Sequence, residues 1–247
     1  MRVGRSGERH VFGGERAKAP YSFLAARWLG LPMSTRILIV DDHPLVRQGL
    51  TGLISTQPDF EICGEASGIV EAQELVATTR PDVGIIDLTL KDGNGIELIK
   101  ILKERHPELK MLVISMHDES LFAERALRAG AAGYVSKHEA IRTVVQAVRT
   151  ILAGRLYLSP TMTERMVHLA VGVRGEGPTS PLERLTDREI EIFEMIGRGL
   201  TSRQIAQQLN LSPKTVETHR ERVKEKLELK NTVELTTHAV QWVLESH

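Results

Sequence analysis

Only one cysteine occurs in the 247 residues, no apolar run reaches the length of a membrane span, and the charge of neither sign is in excess. A lone thiol cannot close an internal disulfide, so Cys63 fits a reduced, cytoplasmic compartment; within Phe60-Glu-Ile-Cys it reads as a buried strand residue rather than a reactive group. The apolar runs are strand-sized and broken by charges, whereas a helix crossing a bilayer needs about 20 apolar residues, so no membrane role is expected. With 32 Lys/Arg against 32 Asp/Glu the net charge is zero, which says nothing about nucleic acid until it is resolved along the chain. What is present is length for two domains and enough apolar residues, 41%, to give each a core.

Residues 1–33 stand apart. They carry six Lys/Arg against Glu8 and Glu15, and their one apolar patch, Tyr21 to Leu31, is interrupted by Arg27 with no small-residue cleavage site after it. They read as a disordered extension rather than a secretory signal, and Met33 directly precedes the first convincing strand.

From Arg36 onward short β-branched runs alternate with helical patterns five times. The strands are predicted at Arg36 to Val40, Phe60 to Glu65, Val83 to Asp87, Met111 to Ser115 and Gly133 to Ser136. The helices are predicted at Pro44 to Gln57, Ile69 to Thr79, Gly95 to His106, Leu121 to Ala129 and Glu139 to Leu152, the last with Ile141, Val144, Val145, Val148, Ile151 and Leu152 on one stripe. Such alternation predicts an α/β domain over 34–156, a five-stranded parallel doubly wound sheet of the flavodoxin-like kind. A linker with a short helix at Pro160 to Ala170 follows over 157–181, and an all-α domain fills 182–247.

Doubly wound sheets place functional residues at the carboxyl ends of their strands. That rule brings Asp41 and Asp42, Asp87, Ser115 and Lys137 to one crevice. Three carboxylates repel one another, and a hard cation with oxygen ligands relieves the repulsion, so Mg²⁺ is implied. A lysine and a hydroxyl on the opposite rim suit the oxygens of a phosphoryl group, and the set has the parts for phosphoryl transfer to a carboxylate.

Asp41-Asp42, the Asp87-Leu-Thr turn, Ser115 and Tyr134-Val-Ser-Lys137 together resemble the receiver domain of two-component response regulators. The resemblance implies that Asp87 is the phospho-acceptor, attacking the phosphohistidine of a sensor histidine kinase. It further implies that Asp42, Asp87 and the carbonyl of Thr89 ligate Mg²⁺, that Asp41 acts through water, and that Ser115 and Lys137 bind the phosphoryl group. Tyr134 is then the aromatic that changes rotamer. The chain departs from the family pattern at Leu90-Lys91-Asp92, where a Met-Pro-Gly loop is common, and at His138, often proline.

In the C-terminal part, Thr186 to Glu189 forms a capping box, Thr201 and Gln204 repeat it, Ser212 precedes Pro213 at a third helix start, and Asn231 to Glu234 opens a fourth helix with the stripe Leu235, Ala239, Trp242, Val243. Between the second and third helices Asn210-Leu-Ser makes a sharp turn, with Ile205, Leu209, Leu211 and Val216 as internal contacts and Ala206 small where the helices approach, a helix-turn-helix. The strings Leu185-Thr-Asp-Arg-Glu, Ile205-Ala and Ser212-Pro-Lys-Thr-Val-Glu-Thr-His-Arg resemble the LuxR-type DNA-binding domain, and the two resemblances together point to the NarL/FixJ subfamily. On the third helix Val216, His219, Val223 and Leu227 share the inner face, so His219 reads as a packing residue. The outer residues Lys214, Thr215, Glu217, Thr218, Glu221 and Arg222 face the major groove, with Arg220 and Lys224 at the flanks, together with Lys226, for phosphates. Residues 181–247 hold ten Lys/Arg against eleven Asp/Glu, but 201–230 hold seven against four, a local basic surface.

The expectation is a cytoplasmic transcription factor, not an enzyme, whose partners are a sensor histidine kinase, double-stranded DNA, a second copy when phosphorylated, and RNA polymerase. Two rival readings stand beside it: a Mg²⁺-dependent phosphohydrolase, disfavoured because the position two beyond the nucleophile is Thr89 rather than an acid, and a regulator that binds DNA without phosphorylation.

Overall fold

The computed structural model of the chain describes residues 34–171 and 180–245. The first 33 residues, expected to be a disordered extension, lie outside the described residues, as do 172–179 of the expected linker and the last two residues.

Five strands, β1 (Thr35–Val40), β2 (Phe60–Ala66), β3 (Val83–Ile86), β4 (Lys110–Ser115) and β5 (Gly133–Ser136), form one parallel sheet in the order β2-β1-β3-β4-β5. Central strands covered on both faces must be apolar throughout rather than alternating. Ile37-Leu38-Ile39-Val40 is, and it is almost wholly buried. Helices α1 (Pro44–Ile54) and α5 (Lys137–Leu152) cover one face with Leu50, Ile54, Val144, Val148 and Ile151 against Ile37, Ile39 and Ile85. Helices α2 (Ile69–Thr79), α3 (Gly95–Arg105) and α4 (Glu119–Ala129) cover the other with Val76, Ile99, Leu102 and Phe122 against Leu38, Ile86 and Val113.

Four expectations are corrected. The buried stripe of α5 is Ala140, Val144, Ala147, Val148 and Ile151, while Ile141 stands 79% exposed about one residue's rotation off that line. Cys63 lies on β2 but is only half-buried, its Sγ 3.5 Å from the Thr79 hydroxyl. Helix α1 stops at Ile54, and α4 starts at Glu119 because Asp118 accepts from the Ser120 N–H at 2.7 Å.

The Leu90-Lys91-Asp92 segment forms a small antiparallel hairpin, Thr89–Leu90 against Gly93–Asn94, that sequence reading did not anticipate. Asp92 reaches back to accept from the N–H groups of Ile69 (2.6 Å) and Val70 (3.2 Å) at the start of α2. The N-cap of α2 is Gly68, with no side chain of its own; a Cβ there would lie 2.4 Å from Asp92. The departure from the common loop thus supplies a remote helix cap.

Helix α6 (Pro160–Ala170) follows, and after a 3-10 turn (Pro181–Arg184) come α7 (Asp187–Gly197), α8 (Ser202–Gln208), α9 (Pro213–Lys226) and α10 (Thr232–Glu245). Both capping boxes are complete, each threonine hydroxyl accepting from the third helical N–H and each third side chain returning to the cap. Ile190, Phe193, Ile205, Val216, Val223, Leu235 and Ala239 make the helical core. No described helix is long and apolar enough to cross a membrane.

Candidate functional site

Parallel register carries the acidic residues to one edge. Val40 of β1 pairs with Ile86 of β3, so Asp41 and Asp87 are the next residue on each strand, and the Asp87 N–H donates to the Val40 carbonyl at 2.8 Å. Ser115 of β4 pairs with Ser136 of β5, which delivers Lys137 one residue later. The Lys137 ammonium sits 2.7 Å from Asp41 Oδ2 and 2.7 Å from Asp87 Oδ2. Both carboxylates are buried, at 2% and 3% exposure. Glycine is required at 95, where α3 begins: a Cβ would lie 2.1 Å from the Asp87 carbonyl oxygen.

Burial pushes the Asp87 carboxyl up to about 6, with the Lys137 charge opposing and Asp41 adding to the rise. Asp87 is therefore mostly ionised at neutral pH although buried, because Lys137 and the Leu88 N–H, 2.7 Å from its Oδ1, hold the charged form. For Lys137, burial alone would lower the pKa, but Asp87 and Asp41 outweigh it and the ammonium is held above its usual range.

Ligand atoms of Asp41, Asp42, His43 and Asp87 all lie within 4.8 Å of one another. Asp42 Oδ1 is buried and accepts no hydrogen bond, and it lies 2.6 Å from His43 Nδ1, an ion pair when that imidazole is protonated. A carboxylate-dominated set with a buried oxygen that accepts no hydrogen bond fits a hard divalent cation. Asp41 is engaged directly by Lys137 and by the His43 backbone N–H (2.8 Å).

Ser115 and Tyr134 lie deeper, 0% and 1% exposed. The Tyr134 hydroxyl donates to the His117 carbonyl at 2.8 Å, and the His117 N–H donates to Ser115 Oγ at 3.2 Å. Burial pushes the Tyr134 phenol far up, so it stays protonated. Thr89 lines the acceptor cleft, with its hydroxyl 3.1 Å from His117 Nε2.

That cleft, about 770 Å³, is lined by Asp42, Asp87, Thr89 and Lys137 and also by Arg198, Val243 and Leu244 of the helical domain. A polar clamp holds the two together: Arg125 of α4 donates to Asp187 (3.0 Å) and to the carbonyls of Leu185 (2.7 Å) and Glu183 (3.2 Å), and Lys100 meets Asp187 at 2.7 Å. Sequence reading missed His43, His117, Arg125 and Arg198. His43 and His117 sit beside chemistry-bearing residues, which was a usable signal; the clamp joins positions some 60 apart and leaves no local pattern.

In the helix-turn-helix, Asn210 adopts the left-handed backbone at φ 51° between α8 and α9. Lys214, Glu217, Thr218, Glu221 and Arg222 are exposed on α9. Arg220 and Lys224 are half-buried, tied to Glu217 (3.7 Å) and Glu221 (2.8 Å), and the Thr215 hydroxyl, 2.8 Å from that of Ser212, belongs to the helix cap. His219 is half-buried on the inner face, where burial lowers its pKa.

Comparison with known proteins agrees with both halves. Residues 37–149 match the family described as "Response regulator receiver domain", and residues 183–239 match "Bacterial regulatory proteins, luxR family". The oxygen regulatory protein NreC of Staphylococcus carnosus (strain TM300) is 35% identical over 210 residues, 83% of this chain and 97% of that one. A crystal structure of a LuxR-family two-component response regulator from Aurantimonas sp. SI85-9A1 is 38% identical, with TM-score 0.52, covering 56% of this chain and 99% of that one. RcsB from Salmonella enterica serovar Typhimurium, bound to promoter P1flhDC in the presence of phosphomimetic BeF3-, shares the fold with TM-score 0.64 at 24% identity, covering 83% of this chain and 98% of that one. The chain belongs to the NarL/FixJ-type response regulators, transcription regulators rather than enzymes, in which a receiver domain is joined to a LuxR-type DNA-binding domain.

Proposed function

We propose that Asp87 is the phospho-acceptor of this regulator and that its phosphorylation switches DNA binding by α9. The observation that carries the reading is the meeting of Asp41, Asp42, Asp87 and Lys137 at one sheet edge, with Lys137 2.7 Å from two of the carboxylates. Asp87 attacks the phosphorus of a histidine kinase's phosphohistidine; a P–O bond forms, the P–N bond breaks, and the imidazole leaves with the electron pair. Asp42, Asp87 and the Thr89 carbonyl, with Asp41, would hold Mg²⁺, which would supply charge neutralisation for the transferring group. Lys137 turns from the carboxylates to a phosphoryl oxygen, Ser115 donates to another, and Tyr134 changes rotamer in response.

The receiver spans 34–156, the linker 157–181 and the DNA-binding domain 182–247. Lys214, Thr215, Glu217, Thr218, Glu221 and Arg222 face the major groove of double-stranded DNA, with Arg220 and Lys224 toward phosphates. RcsB, which shares this fold, has been seen bound to promoter DNA in the presence of phosphomimetic BeF3-, which is compatible with such a switch. The phosphorylated form acts in the cytoplasm as a homodimer, for which the exposed Val233 and Val240 of α10 offer apolar surface, and engages RNA polymerase at the promoter.

Footprinting on a selected DNA sequence, with and without acetyl phosphate and Mg²⁺, tests the switch. Occupancy is expected to rise with the phosphodonor in the parent and not in Asp87→Ala; equal occupancy in all four conditions would establish phosphorylation-independent binding instead.

A further inference from the structure

His117 is bonded to the receiver's switch residues and stacked on the DNA-binding domain at the same time. Its N–H donates to Ser115 Oγ (3.2 Å) and its carbonyl accepts from the Tyr134 hydroxyl (2.8 Å), so its main chain is fixed by the two side chains assigned to the phosphoryl response. Its ring Nε2 lies 3.1 Å from the hydroxyl of Thr89, two residues beyond the acceptor. The same ring, 5% exposed, stacks on Phe122 of α4 (centroids 4.6 Å apart) and faces the indole of Trp242 of α10 almost in parallel, at 6.4 Å and 5°. Trp242 in turn rests on Phe193 of its own domain at 5.7 Å.

We infer that His117 is the positioning residue that transmits the state of the acceptor pocket to the DNA-binding domain, through its ring's stack on Trp242. The inference rests on the acceptor reading of Asp87. When Ser115 turns its hydroxyl to a phosphoryl oxygen, the buried His117 N–H loses the geometry of its partner, and a rotamer change at Tyr134 withdraws the donor from the His117 carbonyl. Buried backbone groups do not stay unpaired, so the main chain at 117 must move to new partners. A packed ring cannot slide continuously, so displacement of its main chain breaks the register of the stack with Trp242. Helix α10 is then freed at the point where Val243 and Leu244 line the acceptor cleft. His117 takes no part in phosphoryl chemistry itself.

The test uses the full chain carrying Trp28→Phe, which leaves Trp242 as the remaining tryptophan of the two. Acetyl phosphate with Mg²⁺ is added, the adduct on Asp87 is quantified by intact mass, and Trp242 accessibility is read by acrylamide quenching. In the parent, the population with accessible Trp242 is expected to rise about fivefold or more on phosphorylation, the lower end of ordinary allosteric coupling. His117→Gln, which removes the ring, is expected to form the adduct to the same extent while Trp242 accessibility no longer responds. His117→Phe, which keeps a stacking ring and the main-chain bonds, restores the response. Adduct formation in each variant certifies that its receiver is folded. A parent-like response in His117→Gln, or an adduct in the parent with no change at Trp242, overturns the relay and leaves the acceptor reading standing; absence of any adduct in the parent overturns both.

Discussion

Replacing Asp87 by asparagine is expected to stabilise the metal-free protein at neutral pH. The Asp87 carboxyl lies at about 6 in the folded chain against 3.8 for its ordinary value, chiefly because it is buried. Between those two values the native state keeps a proton that the unfolded chain has released, so stability falls as pH rises through this window and the full deficit is present above 6. A difference of about two units corresponds to about 3 kcal/mol. Asparagine keeps the shape and cannot ionise, and Lys137 retains Asp41 at 2.7 Å, but one of the two donors on the Asp87 oxygens, Lys137 or the Leu88 N–H, then faces an amide NH2, which offsets about 1 kcal/mol of the gain. In EDTA, urea unfolding should therefore show Asp87→Asn more stable than the parent by about 1–2 kcal/mol at pH 7.5, with the difference falling by about 3 kcal/mol toward pH 4. Adding Mg²⁺ should stabilise the parent more than the variant, since the parent offers the cation one more ionised ligand. A variant that is less stable than the parent at pH 7.5, or a gap that does not change with pH, would refute the placement of an ionised carboxylate in a desolvated pocket.

Gly95→Ala is expected to slow adduct formation by on the order of 10–100-fold, because its Cβ displaces the carbonyl of Asp87 and with it the acceptor loop; an unchanged rate with acetyl phosphate would contradict the close approach. Arg125→Ala removes the donors to Asp187 and to the carbonyls of Leu185 and Glu183, and should weaken domain docking by about 1–3 kcal/mol. Small-angle scattering should then show a more extended unphosphorylated molecule, and an unchanged profile would mean the clamp contributes nothing. At α9, Lys214→Ala or Arg222→Ala should weaken DNA binding, and loss of a phosphate contact should reduce the slope of log K against log salt by about 1. A variant with the parent's affinity and slope has lost no contact.

Much of the receiver is local in character, and those parts were legible. Continuous apolar runs such as Ile37 to Val40 announce central strands, and the carboxyl-end rule then places Asp41, Asp87, Ser115 and Lys137 without any knowledge of distance. The capping boxes at Thr186 and Thr201 and the left-handed Asn210 are likewise three- or four-residue signals, and each is present. Features that depend on which elements meet were not legible. Small residues, Ala140 and Ala147, make two of the five buried positions of α5, so a stripe drawn through the large residues took in the exposed Ile141. Asp92 reads as a loop acid in sequence and caps a helix 23 residues earlier in the chain. His117 sits two residues past Ser115, yet its contacts with Tyr134 and Trp242 arise from packing between β5, α4 and α10.

The central claim, that Asp87 receives the phosphoryl group, is tested most directly by incubating the full chain with acetyl phosphate and Mg²⁺ and mapping the adduct by intact mass followed by peptide analysis. The account predicts one phosphoryl group per chain, on the peptide containing Asp87, absent from Asp87→Asn and hydrolysed by base as an acyl phosphate is. An adduct on another residue, or equal incorporation in Asp87→Asn, would contradict it.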